Sequence, residues 1–299
     1  MADFLQQVVS GLASGGIYGA LALALVLIHR ATGIINFAQG EMATFSTYIA
    51  WTLTTNHGWP YWPAFFATLA LSFGGGVGTY QLVIRPNEKG SVLRVVIVTI
   101  GLLILINGLV QLIWSGEVRA VESPFPSGTF TVGGVAVAYQ DIGTIAVSLG
   151  VVVLLWLFFQ FTKVGLAMRA AAVNPAEARL VGVRVTWMLA LGWGLAAVLG
   201  AVAGMLAAPS IFLDPTMMQA ILIYAFAAAV LGGIDSPIGA VVGGLFLGVL
   251  LNVLSWLSQY ELFSWFTEEL RLPTALAIIL GVLIVRPAGI FGRQVVGKV

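Results

Sequence analysis

Uninterrupted apolar runs of about 20 residues recur along almost the whole chain, separated by short polar stretches. A run of that length can satisfy its backbone in lipid only as an α-helix, because no water is present to take its N–H and C=O groups. A membrane β-barrel would alternate apolar and polar residues, and these runs do not. Only 8% of the 299 residues are charged, against about 25% in a soluble domain. Such a chain cannot cover a water-facing surface, so soluble and disordered folds are excluded. The fold class is an all-α polytopic membrane protein, read as a single transmembrane domain over 1–299.

Candidate spans lie near 4–28, 34–54, 61–84, 92–114, 142–161, 187–208, 217–233, 238–257 and 272–285. That makes eight or nine membrane helices. The segment 34–54 is the exception to a clean span. It holds Asn36, Gln39, Gly40 and Glu41 and reads either as a crossing or as a broken or re-entrant element. Asp3 stands where a signal peptide carries its basic residues, so the first span is expected to be retained.

Ten of the thirteen Lys and Arg residues fall in three places: the loop 85–94, the loop 162–186 and the tail from Arg286. The acidic residues gather elsewhere, including the loop of about 115–141. The positive-inside rule puts the basic segments and the C-terminus in the cytoplasm, and the loop 115–141 outside. The N-terminus is external if 34–54 crosses and internal if it does not.

Glycines recur at four-residue spacing: Gly11, Gly15 and Gly19; Gly74 and Gly78; Gly200 and Gly204; Gly239 and Gly243. This spacing stacks small residues on one helix face and lets backbones approach, which is how helices associate in lipid. In the cytoplasmic segment of about 163–185, Asn174 followed by Pro175 and Glu177 signs a helix start, and Gly182 a stop. A helix over roughly 175–181 follows, with Leu180 and Val181 exposed as a docking knob or as a membrane-surface helix. Asp214-Pro215 and Ser236-Pro237 read as starts of the next membrane helices.

Several chemistries are absent. Cysteine is missing, so disulfides and thiolate metal sites are too. No G-x-x-x-x-G-K-[ST] run binds ATP, and the two histidines, His29 and His57, cannot form a zinc pair at membrane depth. No catalytic residue and no metal site is assigned. The net charge of +1 gives no field for nucleic acid. Glu41 is the clearest ionisable residue at membrane depth, and such groups default to function. It either lines a path or pairs with a polar neighbour such as Asn36. A cation-driven transporter keeps several polar groups near the midplane. This chain is poor in them, which points to an energy source outside it.

Four segments in order resemble the permeases of branched-chain amino-acid ABC importers, LivH type. They are Asn36-Phe37-Ala38-Gln39-Gly40-Glu41; Gly165 to Ala170 with Arg169, then Asn174, Ala178, Leu180 and Gly182; Ala228 to Gly233 with Ser236, Gly239 and Gly243; and Arg286-Pro287-Ala288-Gly289-Ile290-Phe291-Gly292. The resemblance implies a bacterial inner-membrane importer subunit, not an enzyme. Its expected partners are a related permease or a second copy, two ATP-binding subunits that hold ATP and Mg, and an extracytoplasmic solute-binding protein, with membrane lipid around it. No cofactor is bound by the chain itself. It also implies that Asn174 to Gly182 is the coupling helix, and that Asn36, Gln39 and Glu41 sit by the path or its gate. The family often carries Lys where Tyr224 stands, which makes Tyr224 a further path candidate. The solute is expected to be a branched-chain or other apolar amino acid; urea, short amides or another small solute are the alternative, and an ATP-independent secondary transporter is the remaining one.

Overall fold

A computed structural model describes residues 2–292 except 89 and 264. Lys89, Arg293 and Lys298, counted above in the basic segments, lie outside the described residues. The elements in order are α1 (Ala2–Thr32), α2 (Gln39–Trp51), α3 (Tyr61–Thr79), α4 (Val92–Trp114), β1 (Thr129–Val132), β2 (Val135–Ala138), α5 (Tyr139–Phe161), α6 (Lys163–Val173), α7 (Pro175–Leu180), α8 (Val185–Ile211), α9 (Met218–Gly232), α10 (Pro237–Leu257) and α11 (Arg271–Val285). Among the described residues, six helices are long and apolar enough to cross a membrane: α1, α3 with its last turn, α4, α5, α8 and α10. The protein is an all-α polytopic membrane protein.

The chain divides into two compact units. One comprises residues 1–26, 125–148 and 220–299; the other comprises 27–124 and 149–219. In the first, α1 lies on α10 through a run of glycines. A Cβ at Gly11 would stand 2.6 Å from the Val249 Cα, and one at Gly15 would stand 2.7 Å from the Leu245 Cα. Gly19 faces Val241, and Gly244 and Gly248 answer from α10. Ser10 Oγ donates to Asp141 at the start of α5 (2.7 Å), tying α1 to that helix as well. Gly239 and Gly243 press α10 onto α9, against Gly232 and Ala228. The C-terminal segment closes this hairpin: Ile290 N donates to Leu231 O (2.9 Å) and Phe291 N to Gly232 O (3.0 Å). Two carbonyls left open at the end of α9 are thereby satisfied.

In the second unit, α8 is the buried centre, with α2 and α3 against it. Gly200 and Gly204 sit under Ala43 of α2. Gly76, not Gly74 or Gly78, brings α3 close: its Cβ would lie 2.5 Å from Trp193 O, whereas nothing stands within 4 Å of a Cβ at Gly74 or Gly78. Spacing identifies a small-residue face without saying whether a neighbour covers it.

The loop of about 115–141 carries a β-hairpin, β1 pairing antiparallel with β2 across Gly133 and Gly134, both at positive φ. Two local expectations are corrected. The basic loop holds two helices, α6 as well as α7; Thr162 starts α6 by accepting from Gly165 N (2.9 Å). Asp214-Pro215 does not start α9, which begins at Met218. Asp214 Oδ1 instead accepts from the Thr216 N–H (2.7 Å) and hydroxyl (2.6 Å), an Asx turn that occupies the cap. Ser236 does start α10, accepting from Gly239 N (3.1 Å).

Candidate translocation and docking sites

Helix α1 ends where Gly33 takes φ +73°, a conformation favoured by glycine, and donates to His29 O (2.7 Å). Residues 33–38 are not helical. The helix resumes only at Gln39, so 34–54 is a broken element rather than a clean span. With the i→i+5 turn Thr52–Asn56 that continues it, the helix that starts at Gln39 is about 25 Å long, still short of the roughly 30 Å hydrocarbon core. Its start is level with the middle of α8: Gln39 Nε2 donates to Ala196 O (2.8 Å).

The polar residues of the break are buried and partnered. Asn36 and Gln39 are fully buried and Glu41 is 3% exposed. Asn36 Oδ1 accepts from Ala38 N (3.1 Å), and its Nδ2 donates to Gln39 Oε1 (3.2 Å). This closes the backbone at the start of α2, where buried N–H groups would otherwise be orphaned. Glu41 does not pair with Asn36. Its carboxylate accepts from Asn107 Nδ2 of α4 (3.2 Å), and the Gln219 side chain also bonds to it. The same Asn107 amide donates to Pro215 O (2.9 Å), and its Oδ1 accepts from Gln111. One amide therefore joins α2 and α4 to the segment before α9. Nearer the end of α4, Trp114 Nε1 donates to Thr52 Oγ1 (2.7 Å) and the ring stacks on Tyr48 (5.2 Å).

Tyr224 belongs to the other unit, half-buried with its ring 5.1 Å from Tyr18. Arg271 acts electrostatically on both tyrosines and holds Glu268 (2.9 Å). Partial burial pushes the Glu268 carboxyl up, but the Arg271 hydrogen bond and charge, with a bond from Ser255, outweigh it and leave it below the usual carboxylate value.

Helix α7 is built to stay folded despite its short length. Asn174 Oδ1 accepts from Ala176 N (3.1 Å) and Glu177 N (3.2 Å), and Pro175 occupies the first helical position. At the other end Gly182, at φ +84°, donates to Arg179 O (3.0 Å) and Val183 N to Ala178 O (3.0 Å), the two bonds of a Schellman motif. Ala178 is buried against Ala171 and Val185, fixing the helix on α6 and α8. Glu177, Arg179 and Val181 face out, and Leu180 is 86% exposed. Arg169 donates weakly to Gln160 (3.5 Å), and Gly165 lets α6 turn closely on Phe158 and Phe159. Replacing Asn174 by alanine is expected to cost α7 about 1 kcal/mol, read as faster amide exchange confined to 175–181; serine at that position should restore protection.

Asn107 is the residue that sequence reasoning missed. Its signal was an amide in the apolar run 92–114, one turn before a second amide, Gln111. Nothing in spacing linked it to Glu41, 66 positions away.

The family model for the branched-chain amino acid transport system permease component matches residues 7–286. The chain is 32% identical to the high-affinity branched-chain amino acid transport system permease protein BraD of Pseudomonas aeruginosa, over 99% of this chain and 98% of that protein. It is 29% identical to the corresponding permease protein LivH of Escherichia coli, over 99% and 98%. Among solved structures, PsaBC from Streptococcus pneumoniae in complex with Fab aligns at a TM-score of 0.51 and 17% identity, covering 95% of this chain and 92% of that one; the likeness is one of fold.

Proposed function

The chain belongs to the branched-chain amino acid transport permease family, and on that premise we propose that it provides the membrane path of a binding-protein-dependent ABC importer for branched-chain or other apolar amino acids. The geometry that supports this best is α7, a doubly capped helix clamped on α6 and α8 with Leu180 and Val181 left uncovered. A short rigid helix of this kind suits a groove on an ATP-binding subunit. The chain supplies the lever and carries no P-loop of its own, so hydrolysis, with its ATP and Mg, falls to two partner subunits. The second permease is a relative or another copy, and an extracytoplasmic binding protein delivers the solute. The basic loops and the C-terminus lie on the cytoplasmic side by the positive-inside rule. Asn36, Gln39 and Glu41 form the gate at the mid-membrane break, and Tyr224 is a further path candidate.

The test is the importer reconstituted with its ATP-binding subunits and binding protein in vesicles. Glu177→Ala with Arg179→Ala is expected to keep ATP hydrolysis within about twofold while leucine uptake falls about tenfold, or 1.4 kcal/mol of coupling. Uptake and hydrolysis both unchanged would overturn the docking role of α7. Uptake of urea or acetamide in preference to leucine by the unaltered complex would overturn the solute.

A further inference from the structure

The last turn of α3 widens, over Tyr80–Ile84, into i→i+5 bonding. It ends with Arg85 N on Tyr80 O (2.8 Å). This turn delivers Arg85 toward the link from α7 to α8, which supplies Arg179, Arg184, Thr186 and Trp187. With Gln81 these side chains line an open cleft of about 420 Å³ inside the second unit. Three guanidinium groups share it, all exposed. Among the described residues, no carboxylate stands within ion-pair distance of any of them. Arg85 holds only the neutral Gln81 (3.1 Å), and the nearby Glu88 is engaged by the Tyr80 hydroxyl (2.7 Å).

We propose that this cleft binds the phosphate headgroup of an anionic membrane lipid. The cleft lies at the ends of two membrane helices, on the side where positive residues concentrate, which is the level of the inner-leaflet headgroups. Glu88, held by the neutral Tyr80 hydroxyl, offsets only part of these three like charges; the rest repel one another, and a phosphodiester relieves that repulsion. Guanidinium forks match phosphate oxygens in geometry, and the Gln81 amide and Thr186 hydroxyl add neutral donors. The flank of the cleft is apolar and uncovered: Leu82 is 80% exposed on α3, and Trp187 is 51% exposed in the first turn of α8, where an indole suits the bilayer interface. Acyl chains lie along that flank while the headgroup bridges α3 to the docking helix through Arg85 and Arg179. A soluble anion would have no use for the apolar side.

The experiment is native mass spectrometry of the purified full-length chain released from nanodiscs of equal parts phosphatidylglycerol and phosphatidylcholine. The unaltered chain is expected to retain phosphatidylglycerol preferentially. Arg85→Gln with Arg184→Gln is expected to reduce that preference about thirtyfold, at about 1 kcal/mol per charge, with the elution profile unchanged; both residues are exposed, and Arg179 of α7 is left intact. Arg94→Gln, which removes one charge from the same end of the bundle outside the cleft, should change nothing. Equal loss in Arg94→Gln, or an undiminished preference in the double variant, overturns the proposal. Displacement of the lipid by inorganic phosphate alone would identify a free-anion site and overturn it too. So would an undiminished lipid preference together with loss of the ATP-binding subunit in a parallel co-purification of the double variant, which would assign the cleft to an acidic protein side chain.

Discussion

A leucine at position 15 is expected to remove the folded permease from the membrane. A Cβ there would stand 2.7 Å from the Leu245 Cα, 2.8 Å from Gly244 O and 3.0 Å from Leu245 O, all backbone atoms of α10. A flexible side chain can swing away from such a contact; a helix backbone must translate as a whole. Overpacking by single methylenes costs about 1–3 kcal/mol, and leucine adds four carbons at a seam also formed by Gly11, Gly19, Gly244 and Gly248. In lipid nothing but close packing and hydrogen bonds holds α1 to α10. Fluorescence-detected size exclusion of a tagged chain should show loss of the monodisperse peak for Gly15→Leu, and a lower melting temperature for Gly15→Ala. Gly74→Ala, with nothing within 4 Å of its Cβ, is the control and should be neutral or slightly stabilising, since alanine favours a helix by about 1 kcal/mol over glycine. Equal losses at both positions would mean that the four-residue seam has no special part in stability.

The second large effect is expected at Glu41. Glu41→Gln keeps the shape and one acceptor oxygen but removes the charge held by Asn107 and Gln219. Solute uptake by the reconstituted importer should fall about tenfold or more, while the amount of folded chain stays within about twofold. Asn107→Leu should be worse in both respects. It leaves the carboxylate and Pro215 O without their shared donor, and an unsatisfied buried acceptor costs about 1–3 kcal/mol, more when charged. Normal uptake in Glu41→Gln with loss of folding in Asn107→Leu would make the network a scaffold for the helix break and nothing else.

Helix ends were legible where a side chain does the capping locally. Asn174, Pro175, Gly182 and Ser236 all act within a few residues of themselves. What was not legible depends on distant segments. Asp214-Pro215 looks like Ser236-Pro237 in sequence. Yet the Pro215 carbonyl is taken by Asn107 of α4, and the helix starts later. Glycine spacing marked Gly74 and Gly78, but the neighbour stands over Gly76. The hairpin was readable in principle: Thr129 to Ala138 places β-branched residues on both sides of Gly133-Gly134, the two-residue turn that favours positive φ. The partner of Glu41 could not be read at all, because a buried acid in lipid says only that a partner exists.

The backbone clasp between residues 290–291 and the end of α9 has a consequence for biosynthesis. The segment that satisfies Leu231 O and Gly232 O is made only after all of α10 and α11. During translation α9 and α10 enter the bilayer with these acceptors open, and the hairpin is completed only once residues 290–291 have followed. Quality-control proteases that sample nascent membrane proteins therefore meet an unfinished hairpin for as long as the tail is missing, and a nonsense codon shortly after Val285 would leave it permanently so.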